Sequence, residues 1–385
     1  MKKMVVLSLL GCLQLFAQIP EKQMLKVFDA ACKMTPQENV LLSPWGIQQC
    51  FGMVSCGAGM KTGKELRDVL GLDQNAAGKL KQAGESLKNS KADFNSFNAV
   101  LFDRKCKSIQ AFVDDVKQYY DGKVYRLDFS RKTACVNLLN NIIKRESRGM
   151  FEKIFSNDDF ANNPLMVLLN VLYFKSEWES PFEKYLTKKE YFTPFSGVPY
   201  KVDMMNDIKS VPYYNDGVIH GITLNYKDLR FKLVALMPVK ANIPLQKVTR
   251  ALEEMGIGHF VRNGSRANET LIKLPRMKLE SSNDLNELLK SAGMKYLFHP
   301  EFGDLNRMVQ NQDLYVAKSQ QVVKLNLDET GTEVSAVTYA MPEPASAAPG
   351  EEPVFNRFYA DRPFVLVLFD TKTNAVLLTA AMVNP

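Results

Sequence analysis

Side chains able to do acid–base or metal chemistry are few in this chain and far apart. The three histidines, His220, His259 and His299, stand in no HExxH and in no cluster with cysteines, so neither a zinc site nor a histidine base is nominated. No GxSxG elbow presents a nucleophilic serine, and no glycine-rich GK[ST] loop could cradle phosphates. Of six cysteines, Cys12 falls in the apolar amino-terminal run, which leaves Cys32, Cys50, Cys56, Cys106 and Cys135. Five is odd, and Cys50 and Cys56 sit in a helix-like apolar stretch, so buried free thiols are expected rather than an essential disulfide. The pattern points away from catalysis, and no metal or cofactor is expected.

The chemistry that the chain does suggest is conformational. In "DETGTEVSAVTYAMPEPASAAPGEEP", residues 328 to 353, the first half is β-branched or small from Thr332 to Thr338. Pro342, Pro344, Pro349, Gly350 and Pro353 then exclude any ladder. A strand-ready segment is joined to one that stays open to proteolysis.

The elements that must position this stretch are mixed α and β. "SPWGIQQCFGMVSCGAGMKTGKELRDVLG" opens with Ser43 as a helix cap and Pro44 in the first turn, closes near Gly57, and restarts with Thr62 as a second cap. "CVNLLNNIIKRESRGMFEKIF" carries Val136, Leu139, Ile142 and Ile143 at helical spacing. Strand runs follow at 165–174, 222–226, 231–239, 271–280, 320–327, 364–370 and 375–383. The uninterrupted apolar run from Met166 to Phe174 requires burial on both faces.

Composition agrees with a filled interior: 46% of residues are hydrophobic and 24% charged, which excludes a disordered chain. The formal charge of +7 is scattered, giving no footprint for nucleic acid. Lys2 and Lys3 precede "MVVLSLLGCLQLFA", the layout of an export signal ending near Ala17, too short for a membrane span. Residues 1–17 are thus read as a signal peptide and the mature chain as secreted or extracytoplasmic. "LLGC" leaves lipid anchoring at Cys12 as the alternative.

Several segments together resemble the serpin family of protease inhibitors. They are "LLSPWGIQQCFGMVSCGAGMKT", "NVLYFKSEWESPF" (170–182), "LPRMKLESSNDLNELLKSAGMKYLF" (274–298), "FYADRPFVLVLFDTKTNAVLL" (358–378) and the Asn384-Pro385 ending, in family order. Gly46 and Gln49 depart from the family's usual small hydroxyl or alanine residues. The resemblance implies an α+β serpin fold over residues 18–385 as a single domain, with three β-sheets, eight or nine helices and an exposed reactive-centre loop at about 329–356. It implies a monomeric, irreversible suicide inhibitor of serine endopeptidases: cleavage of the loop leaves an acyl-enzyme, and the loop then inserts into the main sheet and distorts the protease.

The same resemblance assigns the hinge to Glu329, Gly331, Thr332, Glu333, Val334, Ser335, Ala336, Val337 and Thr338, with Val334 larger than the usual alanine. Alternation puts Thr332, Val334, Ala336, Thr338 and Ala340 on the inward face after insertion, and Glu333, Ser335, Val337, Tyr339 and Met341 outward. Twelve residues from Thr330 to Met341 span roughly 40 Å. Their ladder would gain on the order of 10 to 30 kcal/mol gross. The family's loop spacing, counted from Glu329, places the reactive bond at Ala345–Ser346, with Ala347, Ala348 and Met341 as alternatives. No Lys or Arg lies between Lys324 and Arg357, so an elastase-like protease is favoured over a trypsin-like one. Ser43, Asn170, Trp178 and Gln321 are carried over to the gate of the main sheet, where Gln321 replaces the usual histidine. A non-inhibitory binding or carrier role, or inhibition of papain-like cysteine proteases, is the alternative function.

Overall fold

The computed structural model describes residues 19, 21–162, 164–310, 313–332 and 355–385. Met166–Glu177 forms a central strand whose first nine residues are all buried, as its unbroken apolar run requires. It belongs to the main sheet, in the order Met277–Asp284, Lys318–Leu327, Gly331–Thr332, Met166–Glu177, Asp93–Asp103 and Lys123–Leu127. A second six-stranded sheet includes Ile219–Asn225, Phe231–Pro238, Phe364–Asp370 and Ala375–Met382. A four-stranded sheet joins Asn356–Tyr359, Thr270–Pro275, Tyr200–Lys209 and Lys188–Phe192. Nine α-helices complete the described residues.

The helix Pro44–Ser55 is buried from Pro44 through Val54, which places it between sheets rather than on a surface. Ser43 caps it by accepting from the Gly46 amide at 3.0 Å, and its hydroxyl donates to the Leu377 carbonyl of the second sheet at 2.8 Å. On the opposite face of the main sheet, the helix Lys132–Glu146 covers a separate apolar cluster containing Val167, Leu169, Val171 and Val322.

Two local expectations are corrected. Thr62 does not cap the next helix, which spans Met60–Leu70 with Gly59 at its cap. Thr62 is buried in the first turn, where its hydroxyl accepts from the Asp304 amide at 3.1 Å. The run 271–280 is not one strand but two, Thr270–Pro275 in the four-stranded sheet and Met277–Asp284 in the main sheet. Pro275 ends the first ladder, and the chain changes sheets at Arg276.

Candidate functional site: the entry to the main sheet

The two central strands of the main sheet are paired along only part of their length. Lys318–Val323 runs parallel to Val167–Leu172 and pairs with it directly. Beyond that the strands diverge, and Gly331–Thr332 enters between their far ends, antiparallel to both: Thr332 pairs with Leu327 on one side and Ser176 on the other. The segment read from sequence as the start of an inserting strand is therefore already seated in the sheet at its first two residues.

Three contacts hold it there. Thr332 is buried, and its Oγ1 lies 2.7 Å from the hydroxyl of Tyr226, which is itself fully buried. Burial also pushes that phenol well above its ordinary pKa, so the hydroxyl stays protonated. Trp178 stacks on Tyr226 with ring centres 4.6 Å apart. The Trp178 amide donates to the Thr330 carbonyl and its indole to the Asp328 carbonyl, each at 2.9 Å. Gly331 lies so close to the Ser176 carbonyl and the Glu177 backbone that a Cβ would collide with both.

Glu329 anchors the turn before the strand. Its carboxylate is 3% exposed and accepts from the Arg276 guanidinium and from the Thr187 hydroxyl at 2.6 Å. Burial raises its pKa, but the hydrogen bonds from Arg276 and Thr187 outweigh burial and leave it below the ordinary carboxylate value.

Ser43, Asn170 and Gln321 come together lower in the sheet. Gln321 accepts from the Ser43 amide through Oε1 and donates to the Ser43 carbonyl through Nε2, both at 2.9 Å. The same Nε2 reaches Asn170 Oδ1 at 3.2 Å, and Asn170 donates to Asn98 Oδ1 at 2.8 Å. Gly46 makes room: a Cβ there would strike the Asn170 carboxamide. Trp178 stands apart from this trio, eight residues further along the chain than Asn170 and just past the end of the strand, roughly 26 Å away at the rise of an extended chain.

Tyr226, Arg276, Thr187 and Asn98 are neighbours of these residues that sequence reasoning did not nominate. They come from four separate stretches of chain, and no local spacing marks them. Glu333, Val334, Ser335, Ala336, Val337, Thr338, Ala345 and Ser346, like residues 1–17 with Cys12, lie outside the described residues.

The histidines take separate structural places. His220 is buried beside Phe358, its Nδ1 3.1 Å from the Tyr213 hydroxyl. Burial first, and then the Arg362 charge, lower its pKa to about 4. His259 meets Tyr214, and His299 stacks on Phe302. Among the described residues no group of three or more His, Cys, Asp or Glu could hold a metal ion. Cys32, Cys50, Cys56, Cys106 and Cys135 are unpaired. Burial pushes the thiols of Cys50 and Cys56 up to about 12, far from a reactive thiolate.

Comparison with known proteins places this arrangement in a family. The family model described as serpin, serine protease inhibitor, matches residues 21–385. Glia-derived nexin of Mus musculus is 28% identical over 371 residues, covering 94% of this chain and 91% of the relative. Plasminogen activator inhibitor 1 of Sus scrofa is 26% identical over 370 residues, covering 94% and 90%. Among solved structures, native protease nexin-1 with heparin superposes with a TM-score of 0.82 at 23% identity, over 95% of this chain and 98% of that one. Thyroxine-binding globulin in complex with thyroxine gives 0.82 at 21%, over 94% and 97%. The three sheets and nine α-helices of the described residues agree with the sequence matches, and the chain belongs to the serpin family.

Proposed function

We propose that the chain is an irreversible inhibitor of serine endopeptidases with elastase-like specificity, cut at Ala345–Ser346, in which residues 333 to 341 follow Gly331–Thr332 into the main sheet. One observation carries this reading: the registers on the two sides of the entering strand converge. Continued residue by residue, the Thr332 pairings bring residue 338 opposite both Asn170 and Gln321, and residue 341 opposite both Val167 and Lys318. Those are pairs already joined across the two strands. Pro342 would be the first residue past the last row, where its missing amide costs nothing.

The side-chain pattern fits the same rows. Leu172, Phe174, Val323, Leu325 and Leu327 belong to the main core, so the rows of Thr332, Val334 and Ala336 face it, and alternation adds Thr338 and Ala340. No residue of this set is charged, as burial requires. On the other face, Glu333 would lie opposite Lys175 and Ser335 opposite Lys324. Val337, Tyr339 and Met341 would meet the rows of Val171, Leu169 and Val167, which are buried beneath the helix Lys132–Glu146. Sequence alternation alone assigns these three outward; in this fold that direction leads to a second apolar core, and the three are apolar or aromatic.

Elastase-like proteases suit the small Ala345 and the lack of basic residues in the loop. The test is incubation with an elastase-like protease: an SDS-resistant complex should form, with release of a peptide beginning at Ser346 or within a few residues of it. Clean loop cleavage without complex across elastase-, chymotrypsin-, subtilisin- and papain-like enzymes would falsify the inhibitory reading. The apolar leader supports export, and the mature chain is then expected to begin near Gln18; no helix among the described residues is long and apolar enough to cross a membrane.

A second reading, a carrier of small molecules, is favoured by one cavity of about 490 Å³ between the helices Lys22–Met34 and Gln246–Met255 and the second sheet. Its wall includes Val40, Phe195, Leu245 and Val383, with Arg362, whose Nε is buried without a partner among the described residues. A carrier whose loop does not insert would gain no thermal stability when the loop is cut; an inhibitor would gain it sharply.

A further inference from the structure

A separate cavity of about 370 Å³ opens behind Trp178, between the ends of the strands Tyr200–Lys209 and Ile219–Asn225. Its walls are apolar where Ile208, Val211, Leu224 and the Trp178 ring meet, and Ile208 is 48% exposed for want of a neighbour. Arg266 stands on the rim and makes no ion pair among the described residues. Lys232 lies behind Asn225, to which it donates at 2.9 Å. Glu179 is the one carboxylate in the lining and is held by Asn225 at 2.8 Å, whereas Lys209 is already matched by Asp207, Ser180 and the Pro181 carbonyl. The lining is thus mixed, an apolar patch of Ile208, Val211 and Leu224 beside polar groups, and Arg266 is its one cation with no ion pair among the described residues. Nearby, the Lys232 ammonium is held below its ordinary pKa by burial first and then by the Arg266 charge, with Glu179 opposing them in part.

We infer that this cavity binds a small organic acid, with its anionic head at Arg266 and its apolar body on Ile208, Val211 and Leu224 against Trp178, and that the bound acid steadies the entry of Gly331–Thr332 into the main sheet. The link is direct, because Trp178 both lines the cavity and holds the Asp328 and Thr330 carbonyls, while its ring supports the Tyr226 that meets Thr332. The regulatory part rests on the proposed inserting role; the binding part does not.

Trp45 and Trp178 are the two tryptophans of the chain. In a Trp45→Phe variant, octanoate should change Trp178 emission saturably, and 1-octanol, equal in length and uncharged, should bind at least about tenfold more weakly. Arg266→Glu should weaken octanoate by at least about tenfold, whereas Arg362→Ala, in the other cavity, should leave it unchanged. Calorimetric titration of the unsubstituted and Arg266→Glu proteins gives the same answer should Trp45→Phe fold poorly. Equal binding of octanol, retained affinity in Arg266→Glu, or loss in Arg362→Ala overturns the site. Amide exchange at Gly331 and Thr332 should slow at saturating octanoate; unchanged exchange with intact binding overturns the regulatory step alone. Binding and slowed exchange without inhibition of any protease would leave the site standing and refute the inhibitory function.

Discussion

Thr332 Oγ1 and the Tyr226 hydroxyl, 106 residues apart in sequence, meet at 2.7 Å in a fully enclosed setting. Removing the phenol oxygen leaves the threonine hydroxyl buried without its partner, at a cost of about 1 to 3 kcal/mol. Tyr226→Phe should lower the melting temperature and speed amide exchange at Gly331 and Thr332 relative to the rest of the main sheet. Exchange that stays as slow as in the parent protein would mean that backbone pairing alone holds these residues.

The projected register makes a positional prediction. After loop cleavage, Ala336→Cys and Val323→Cys should form a disulfide under mild oxidation, because both fall in the row of Leu172. Before cleavage no bond should form. A Val337→Cys partner in place of Ala336→Cys should fail in both states, since one residue of slippage turns its side chain to the other face. Cross-linking through residue 337 instead would show that the register is displaced.

Thr332→Arg places a charge against the main core, where burial without a partner is prohibitive. The variant should keep its fold only by releasing Gly331–Thr332 from their seat in the intact sheet, and should then be cut at the loop by the target protease and turned over as a substrate without forming a stable complex. Its melting temperature after cleavage should stay close to that of the intact protein.

Acid should loosen the molecule in two windows. His220 has a folded pKa of about 4, below its unfolded value near 6.5, so the unfolded chain binds the extra proton between them and stability falls as pH drops through that interval. Glu329 has a depressed folded pKa; its contribution is present above the unfolded carboxylate value and is lost as pH falls through the folded one. Melting curves from pH 8 to pH 3 should show His220→Gln flattening the upper window and Glu329→Gln the lower. A wild-type profile level down to pH 4 would contradict the histidine assignment.

Gln321 fills its four hydrogen-bonding positions partly with the Ser43 backbone and Asn170, all away from water. Gln321→Ala should therefore destabilise the protein by on the order of 1 to 3 kcal/mol per orphaned group. Chemical denaturation checks this directly; an unchanged midpoint would argue that water replaces the side chain.

Much of this arrangement was legible in the sequence because it is local. The apolar run of Met166 to Phe174 marks a strand buried on both faces, and Ser43 with Pro44 marks the start of the buried helix. The period-two pattern after Gly331 keeps charge off one face, and its continuation past Thr332 belongs to the proposal rather than to the described residues. What the sequence withheld depends on distant approach. Nothing near Tyr226 points to Thr332, and Arg276 reads as the middle of one strand until the chain changes sheets there. Gly46 reads as a departure from pattern, and only the Asn170 carboxamide packed against it explains why no side chain fits. Alternation could sort Val337, Tyr339 and Met341 to one side without revealing that the helix Lys132–Glu146 covers it.

The partial pairing of the two central strands has a kinetic consequence. Between the Thr332 row and the last directly paired row, Leu172 with Val323, only Tyr173, Phe174 and Lys175 on one strand and Lys324, Leu325 and Asn326 on the other are spread apart. An incoming chain would add its first three rows by closing a zip, with no ladder bond to break. From Ala336 onward each new row would replace an existing one, so the movement would change from zipping to strand exchange within the sheet. The slow step should therefore lie at that changeover, and substitutions from Ala336 to Met341 should govern the rate, while those at Glu333 to Ser335 should govern only the equilibrium of the first stage.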